Sequence, residues 1–556
     1  MVKHQISELI QQAVLAAQRA GDLPAFELPQ FSVGRPKEEA HGDYDCSLSL
    51  KLARVAGMPP LRIAETIANH LPAAEFIGQV EVAAPGFLNF TLSDGWLARQ
   101  VETILAAGDR FGDADLGHGK RVQVEFVSAN PTGPLHIGSA RNAAIGDTLA
   151  NLLAAAGYAV EREYYLNDTG TQIRHFSETL YARYAQALGR DEPLPADGYP
   201  GPYMVPIAEE IVRQEGDRLL ALPREQAVSQ IGELGLKLVI RGLDEDCRAI
   251  GINFDTWFSE RSLYTSGLFD RVLGMLRERG VVTEYDGAVW FASKELGQDK
   301  DNVIVRSTGD GPTYFASDIA YMWNKLVERG FDRAVYVWGA DHQGDVPRLK
   351  AVARVLGLDP DRLTFLLYQM VTLKRGGEIV RLSKRSGDII TLREVVDEVG
   401  ADAVRFFLLA RAATAQMDFD LQLAKEQSDE NPVYYVQYGH ARIASILRHA
   451  QDAGLTGEGG DVGLLTHPAE LALIRKMLEL PELVETAVLE LTPHVLPHYA
   501  LELAGLFHSF YKQCRVLSSL PEEQALSKAR LRLARAAQIV LARTLHLMGL
   551  SAPEKM

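Results

Sequence analysis

The chain has 556 residues, 47% apolar and 23% charged, ordinary globular values, and at roughly 150 residues per domain it holds about four domains or subdomains. A single small binding module, a disulfide scaffold and wholesale disorder are therefore excluded. With 57 basic against 73 acidic residues the net charge is −16, which argues against coating of a nucleic acid but leaves room for a local basic face. Lys528, Arg530, Arg532 and Arg535 form such a place, and their first reading is a solvated helix face. Cys46, Cys247 and Cys514 lie far apart, so no cysteine metal site is expected and a reducing, cytoplasmic compartment is. The start MVKHQISELIQQAVLAAQ is amphipathic rather than a signal run, and no stretch approaches about 18 uncharged apolar residues, so no membrane partner is expected.

In chain order, residues 1–110 mix helical stretches with the alternating runs Gln79-Val-Glu-Val and Phe87-Leu-Asn-Phe-Thr-Leu, an α+β unit. The polar, glycine-rich segment 112–119 marks a boundary. Arg121-Val-Gln-Val-Glu-Phe-Val-Ser reads as a strand, 137–156 as a helix closed by Gly157, and 158–166 as a second strand. Strand, helix, strand is the parallel crossover of a Rossmann-like nucleotide-binding sheet. Further strands are expected at 334–338 and 365–371, with an inserted region near 172–300 whose 191–202 is rich in Pro and Gly. From about Asp397 onward Leu, Ala and Val recur at helical spacing, as in a bundle. The fold class is multidomain α/β: an N-terminal α+β domain (1–110), a Rossmann-like parallel-sheet domain (118–395) and a C-terminal all-α bundle (396–556).

Two local constellations carry chemistry. In SANPTGPLHIGS (128–139) a strand end, two prolines and a helix start place His136 and backbone N–H groups where an anion would sit. Gly138 leaves room for a ligand to approach the backbone. The bland alternative is an ordinary loop whose histidine caps the helix. In KRGGEIVRLSKRSGD (374–388) a Gly-Gly hairpin leads into a basic loop whose Lys384 could reach a pyrophosphate; a basic surface hairpin is the alternative.

The HIG of 136–138 and the RLSKR of 381–385 resemble the HIGH and KMSKS motifs of class I aminoacyl-tRNA synthetases. The fuller match is to arginyl-tRNA synthetases: VEFVSANPTGPLHIG (124–138), YYLNDTGTQI (164–173), FDTWFSERSLY (254–264), YFASDIAY (314–321), WGADHQGDVPRLKA (338–351), DENPVYYVQYGHARI (429–443) and the closing LMGLSAPEKM. The resemblance covers essentially the whole chain. Two positions depart from it: Ser139 stands where the family usually has a second histidine, and Arg381-Leu382 where it has Lys-Met.

The resemblance implies ligation of L-arginine to its tRNA through an arginyl-adenylate, with ATP and Mg²⁺ as the substrate complex and activation only when tRNA is bound. It puts Glu125 and Asn130 at the amino-acid ends of arginine, Glu260, Tyr314 and Asp318 around its guanidinium, and His342 beside it. A planar cation with a fork of donors is best met by carboxylates and an aromatic wall. ATP falls to Asn130, Pro131, Thr132, Gly133, Pro134, His136, Gly138, Ser139, Asp341, Ser383 and Lys384. His136, Lys384 and, more weakly, Ser139 are the candidate catalytic residues. For tRNA the resemblance offers Phe87 and Asn89 to a D-loop base and Tyr434, Tyr438 and Arg442, with Tyr435 and His440 nearby, to the anticodon side. Phe87 read by itself is as readily a core residue, and the tyrosines core and rim. A monomer is expected. The rivals are a nucleotidyl-transferring relative that acts without RNA, and a silent paralogue that binds tRNA or arginine.

Overall fold

In the computed structural model of the chain, residues 1–297, 301–306, 312–380 and 390–556 are described. The β-branched run Arg121–Glu125 is the middle strand of a five-stranded parallel sheet. The order across it is Leu363–Tyr368, Arg333–Gly339, Arg121–Glu125, Ala159–Leu166, Thr256–Ser259. From the middle strand the chain winds to one side through the Ile137–Ala155 helix and later returns on the other side at Arg333–Gly339. Winding therefore reverses between these two strands, and in open α/β sheets the crevice at such a reversal, beyond the carboxyl ends, is where ligands bind.

The strand expected at 121–128 stops at Glu125 because Val127 and Ser128 take φ of 65° and 42°, left-handed backbone that side-chain-bearing residues seldom adopt. The Asn142 side chain bridges the gap, accepting from Val127 N at 2.6 Å and donating to Val337 O at 2.8 Å. Gly157, with φ 83°, follows the cap residue Ala156. The strand expected at 365–371 is two strands, Leu363–Tyr368 and Val371–Arg375. Gln369 breaks them by donating its N–H to Ala413 O while its carbonyl accepts from the buried Arg141.

At the N-terminus Ile77–Ala83 and Phe87–Leu92 pair antiparallel within a four-stranded sheet. Leu88, Phe90 and Leu92 form its core face. In the inserted region the helices Thr171–Ala187, Met204–Glu215 and Arg224–Ala249 pack on one another, followed by a small antiparallel sheet over 282–305. The Gly-Gly hairpin forms, with φ of 59° at Gly376 and 86° at Gly377, as a two-residue turn with both central residues left-handed requires. One strand, Met417–Asp420, interrupts the stretch read as purely helical and pairs parallel with Val371–Arg375. Beyond it the helices Pro432–Asp452, Pro468–Met477, Leu480–Glu490, Val495–Gln513 and Gln524–Leu547 form the bundle.

The Ile137–Ala155 helix is buried nearly all round, between the sheet and the C-terminal part. Its Asp147 pairs with Arg405 at 2.6 Å, and the same guanidinium donates to Met548 O and Ile250 O at 2.8 and 2.9 Å. Gly549 (φ 71°) lies so close that a Cβ there would meet this guanidinium at 2.1 Å. The closing LMGLSAPEKM is thus tied to the Ile137–Ala155 helix through the buried Arg405, and Asn151 of that helix also donates to Leu547 O at 3.1 Å.

Candidate active site

The first wall of the crevice is the loop 128–139. Ser128 Oγ accepts from Tyr165 N at 3.1 Å, and Asn130 donates to Gln172 at 2.9 Å. Pro131 and Thr132 are buried, Tyr203 OH donates to Thr132 O at 2.8 Å, and Gly133 lies against the Tyr203 ring, which together with Pro134 lines a small side cavity. His136 is the N-cap of the Ile137–Ala155 helix: its Nδ1 accepts from Gly138 N at 3.1 Å. An accepting Nδ1 on a neutral ring puts the proton on Nε2. A Cβ on Gly138 would crowd the His136 ring at 2.9 Å, so the glycine leaves room for the histidine itself. Ser139 is buried one position further on.

The opposite wall is the Tyr314–Trp323 helix, which presents Tyr314, 58% exposed, and one turn later Asp318. Desolvation pushes the Asp318 carboxyl up to about 7, helped by Glu125, Asp345 and Glu260 and opposed by Arg348. Glu260 opens the short helix Glu260–Thr265 and is buried. One of its oxygens accepts from Ser317 and the other from Asn167 at 3.5 Å, and burial raises its pKa. Asp168 fixes this corner by accepting from Ser259 Oγ at 2.6 Å and Arg261 N at 2.9 Å.

The floor is acidic. Glu125, at the carboxyl end of the middle strand, is buried and paired with the fully buried Lys325 at 2.5 Å. Asp341 and His342 lie in the turn after Gly339. Asp341 is exposed, while His342 Nδ1 is 2.9 Å from Asp345, a contact that raises the histidine's pKa. The structure therefore gathers Glu125, Asn130, His136, Ser139, Glu260, Tyr314, Asp318, Asp341 and His342 at the crevice. Ser383 and Lys384, with the rest of 381–389, lie outside the described residues. Sequence reasoning missed Ser317, Asn167, Asp168, Asn142 and Lys325. Of these Lys325 carried a signal, a lysine seven residues after Asp318 on the same helical face.

Away from the crevice, Phe87 and Asn89 project from the sheet face opposite Leu88 and Phe90, so Phe87 is not a core residue. Phe87 is half-buried and Asn89 buried, and the neighbouring Thr91 and Glu81 line a cleft of about 1000 Å³ between this unit and the bundle. On the bundle, Tyr434 and Tyr438 stack at 8° with centroids 6.1 Å apart, and Arg442 lies 4.5 Å from the Tyr511 ring. Tyr435, Tyr438, Arg442, His508, Tyr511 and Lys512 line a concavity of about 440 Å³. His440 does not join them: it is buried, with Nδ1 2.8 Å from Pro553 O, and holds the C-terminal tail. The strip at 528–535 is not a merely solvated face either, since Arg530 pairs with Glu470 at 2.7 Å and Arg532 with Glu102.

A parallel sheet whose winding reverses beside an HIG-bearing helix start, with buried carboxylates gathered beyond its strands, defines a class I aminoacyl-tRNA synthetase catalytic domain. Comparison with known proteins agrees: the family model for the class I (R) tRNA synthetase catalytic domain matches residues 100–408. The arginyl-tRNA synthetase N-terminal domain matches 3–92 and the DALR anticodon binding domain 436–556. The chain is 53% identical over 555 residues to an arginine–tRNA ligase of Dehalococcoides mccartyi, covering 100% of this chain and 99% of the other. It is 47% identical over 562 residues to one of Heliobacterium modesticaldum, with the same coverage. The solved structure of Thermus thermophilus arginyl-tRNA synthetase superposes over the full length of both chains with a TM-score of 0.78 at 26% identity. The chain belongs to the arginyl-tRNA synthetase family.

Proposed function

We propose that the chain ligates L-arginine to its cognate tRNA at this crevice. An oxygen of the arginine carboxylate attacks the α-phosphorus of ATP, delivered as its Mg²⁺ complex, and the bond to pyrophosphate breaks. A hydroxyl of the tRNA's terminal adenosine, the 2′ one by class I likeness, then attacks the arginyl carbonyl; the ester forms, AMP leaves and the hydroxyl proton is lost. The observation that carries this reading is that Glu260, bonded to Ser317 beside Asp318, and the HIG helix start both belong to the carboxyl-end side of one parallel sheet, where ligands bind.

In this reading the guanidinium takes Asp318 as its main partner, with Tyr314 as a wall. Glu260 acts from beneath, because both its oxygens already serve Ser317 and Asn167. Glu125 and Asn130 hold the amino-acid end. His136 Nε2–H and the backbone N–H groups of the helix start meet the phosphates, as positive helix ends do, with Ser139 a weaker donor. Lys384 and Ser383 belong to the loop that meets departing pyrophosphate. The tRNA is assigned Phe87 and Asn89 on the N-terminal unit and Tyr434, Tyr438 and Arg442 on the bundle, π faces and a cation suited to unstacked bases. The divisions 1–110, 118–395 and 396–556, a monomeric state and a cytoplasmic setting complete the proposal; the cysteines are free thiols, and no helix among the described residues is long and apolar enough to cross a membrane.

Asp318→Asn tests the site. Loss of one charge-assisted partner should raise the KM for arginine about 10- to 100-fold in tRNA charging. An unchanged KM would remove Asp318 from the pocket.

A further inference from the structure

Glu125 and Glu163 sit directly opposite one another on adjacent parallel strands, both buried. Like charges so placed repel, and each needs its own cation. Both cations come from one local irregularity: the Tyr314–Trp323 helix runs on into a π-helical turn, Asn324–Glu328. Arg329, the residue after that turn, forks onto Glu163 and Glu161, and Tyr321 OH also donates to Glu163. With Glu163 so served, Lys325 pairs with Glu125, at 2.5 Å. Its ammonium is wholly buried, held between the rings of Tyr321 and Tyr336 with centroids 3.9 and 3.7 Å away. Tyr336 is also the register partner of Glu125 on the other neighbouring strand.

Burying an ion pair costs more in desolvation than it commonly returns, so stability alone does not explain it. Desolvation indeed pushes the lysine's pKa down, with Glu125 and Glu163 pushing it back up. π-helical turns often mark functional sites, and this one extends the very helix that carries Tyr314 and Asp318.

We infer that Lys325 is a positioning residue for the amino-acid pocket: its clamped ammonium fixes one oxygen of Glu125 so that the other is aimed at the α-amino group of arginine. This deepens the proposed function and rests on its placement of Glu125. One helix then serves both ends of the substrate, Asp318 for the guanidinium and Lys325, through Glu125, for the α-amino group.

The test compares L-arginine with 5-guanidinopentanoate, which lacks only the α-amino group, as ligands of the full-length enzyme. Lys325→Met should raise the arginine KM in tRNA charging about 10- to 100-fold, with kcat within a few-fold and the ATP KM unchanged. The inhibition constant of 5-guanidinopentanoate should stay at its wild-type value. A variant that weakens both ligands equally, or neither while melting earlier, would overturn the inference and leave Lys325 a structural cation. If Lys325→Met does not fold, the double variant Lys325→Met/Glu125→Gln, with no orphaned carboxylate, should fold and match the arginine KM of Glu125→Gln alone; a further loss in the double variant would overturn the inference. An unchanged preference for arginine over the analogue in Glu125→Gln would instead remove Glu125 from the pocket, and with it the reading on which the inference rests.

Discussion

Arginine binding should release protons near neutral pH. Burial pushes the Asp318 carboxyl up to about 7, and the carboxylates of Glu125, Asp345 and Glu260 push the same way. A guanidinium against it supplies the missing positive charge and returns it to the ordinary carboxylate range. Between about pH 8, where Asp318 is already ionised, and about pH 6, where binding must first expel its proton, the arginine dissociation constant should rise about 10-fold. At about pH 7 binding should release roughly half a proton, read as a dependence of the calorimetric heat on the buffer's ionisation enthalpy. The sign for stability follows. With a folded pKa above the unfolded value, Asp318 contributes stability to the empty enzyme that is fully present below about pH 4 and is lost as the pH rises through about 7. Arginine should therefore raise the melting temperature more at high pH than at low. Because the His342 pKa is raised too, chiefly by its bond to Asp345, Asp318→Asn serves as the control that removes the Asp318 component. An affinity that is flat across this window, with buffer-independent heats, would refute the reasoning.

Arg405→Met should lower stability by about 3–5 kcal/mol, because Asp147, Ile250 O and Met548 O lose their shared buried donor; urea unfolding measures it, and a loss under about 1 kcal/mol would contradict the role given to the C-terminal tail. Lys384→Ala should lower kcat about 10²- to 10³-fold with little change in arginine KM, and steady-state charging with an unchanged kcat would take the loop out of the mechanism. Tyr438→Ala, which removes one ring of the stacked Tyr434, Tyr438 and His508 set, should raise the KM for tRNA about 10-fold while arginine KM stays put; equal effects on both would point to a folding defect.

The crossover of the catalytic sheet was legible because Val122 and Val124 mark its first strand, an aromatic pair closes its second and its helix is long, and the Gly-Gly hairpin because glycine takes both left-handed turn positions without steric cost. Strand ends were less so. Val127 and Ser128 leave the strand because Asn142, in the second turn of the next helix, takes up Val127 N–H, and that partner is set by tertiary structure. The alternation of Phe87 to Leu92 already separated a core face from an outer one, so the choice between core and outer face for Phe87 could have been made from the sequence. His440 looked like its aromatic neighbours in the helix, yet it faces the C-terminal tail, a direction fixed by what packs on the bundle. The ion-pair floor of the pocket needed three strands and a π turn in register before any of its partners could be assigned.

The central claim is that this crevice activates arginine for its tRNA, and pyrophosphate exchange into ATP with each amino acid in turn, with and without tRNA, addresses it most directly. Exchange is expected with arginine alone, with lysine disfavoured by about 10⁴-fold because it leaves buried acceptors unmet, and only when tRNA is present. Exchange driven by another amino acid, or none with arginine and tRNA together, would contradict the account.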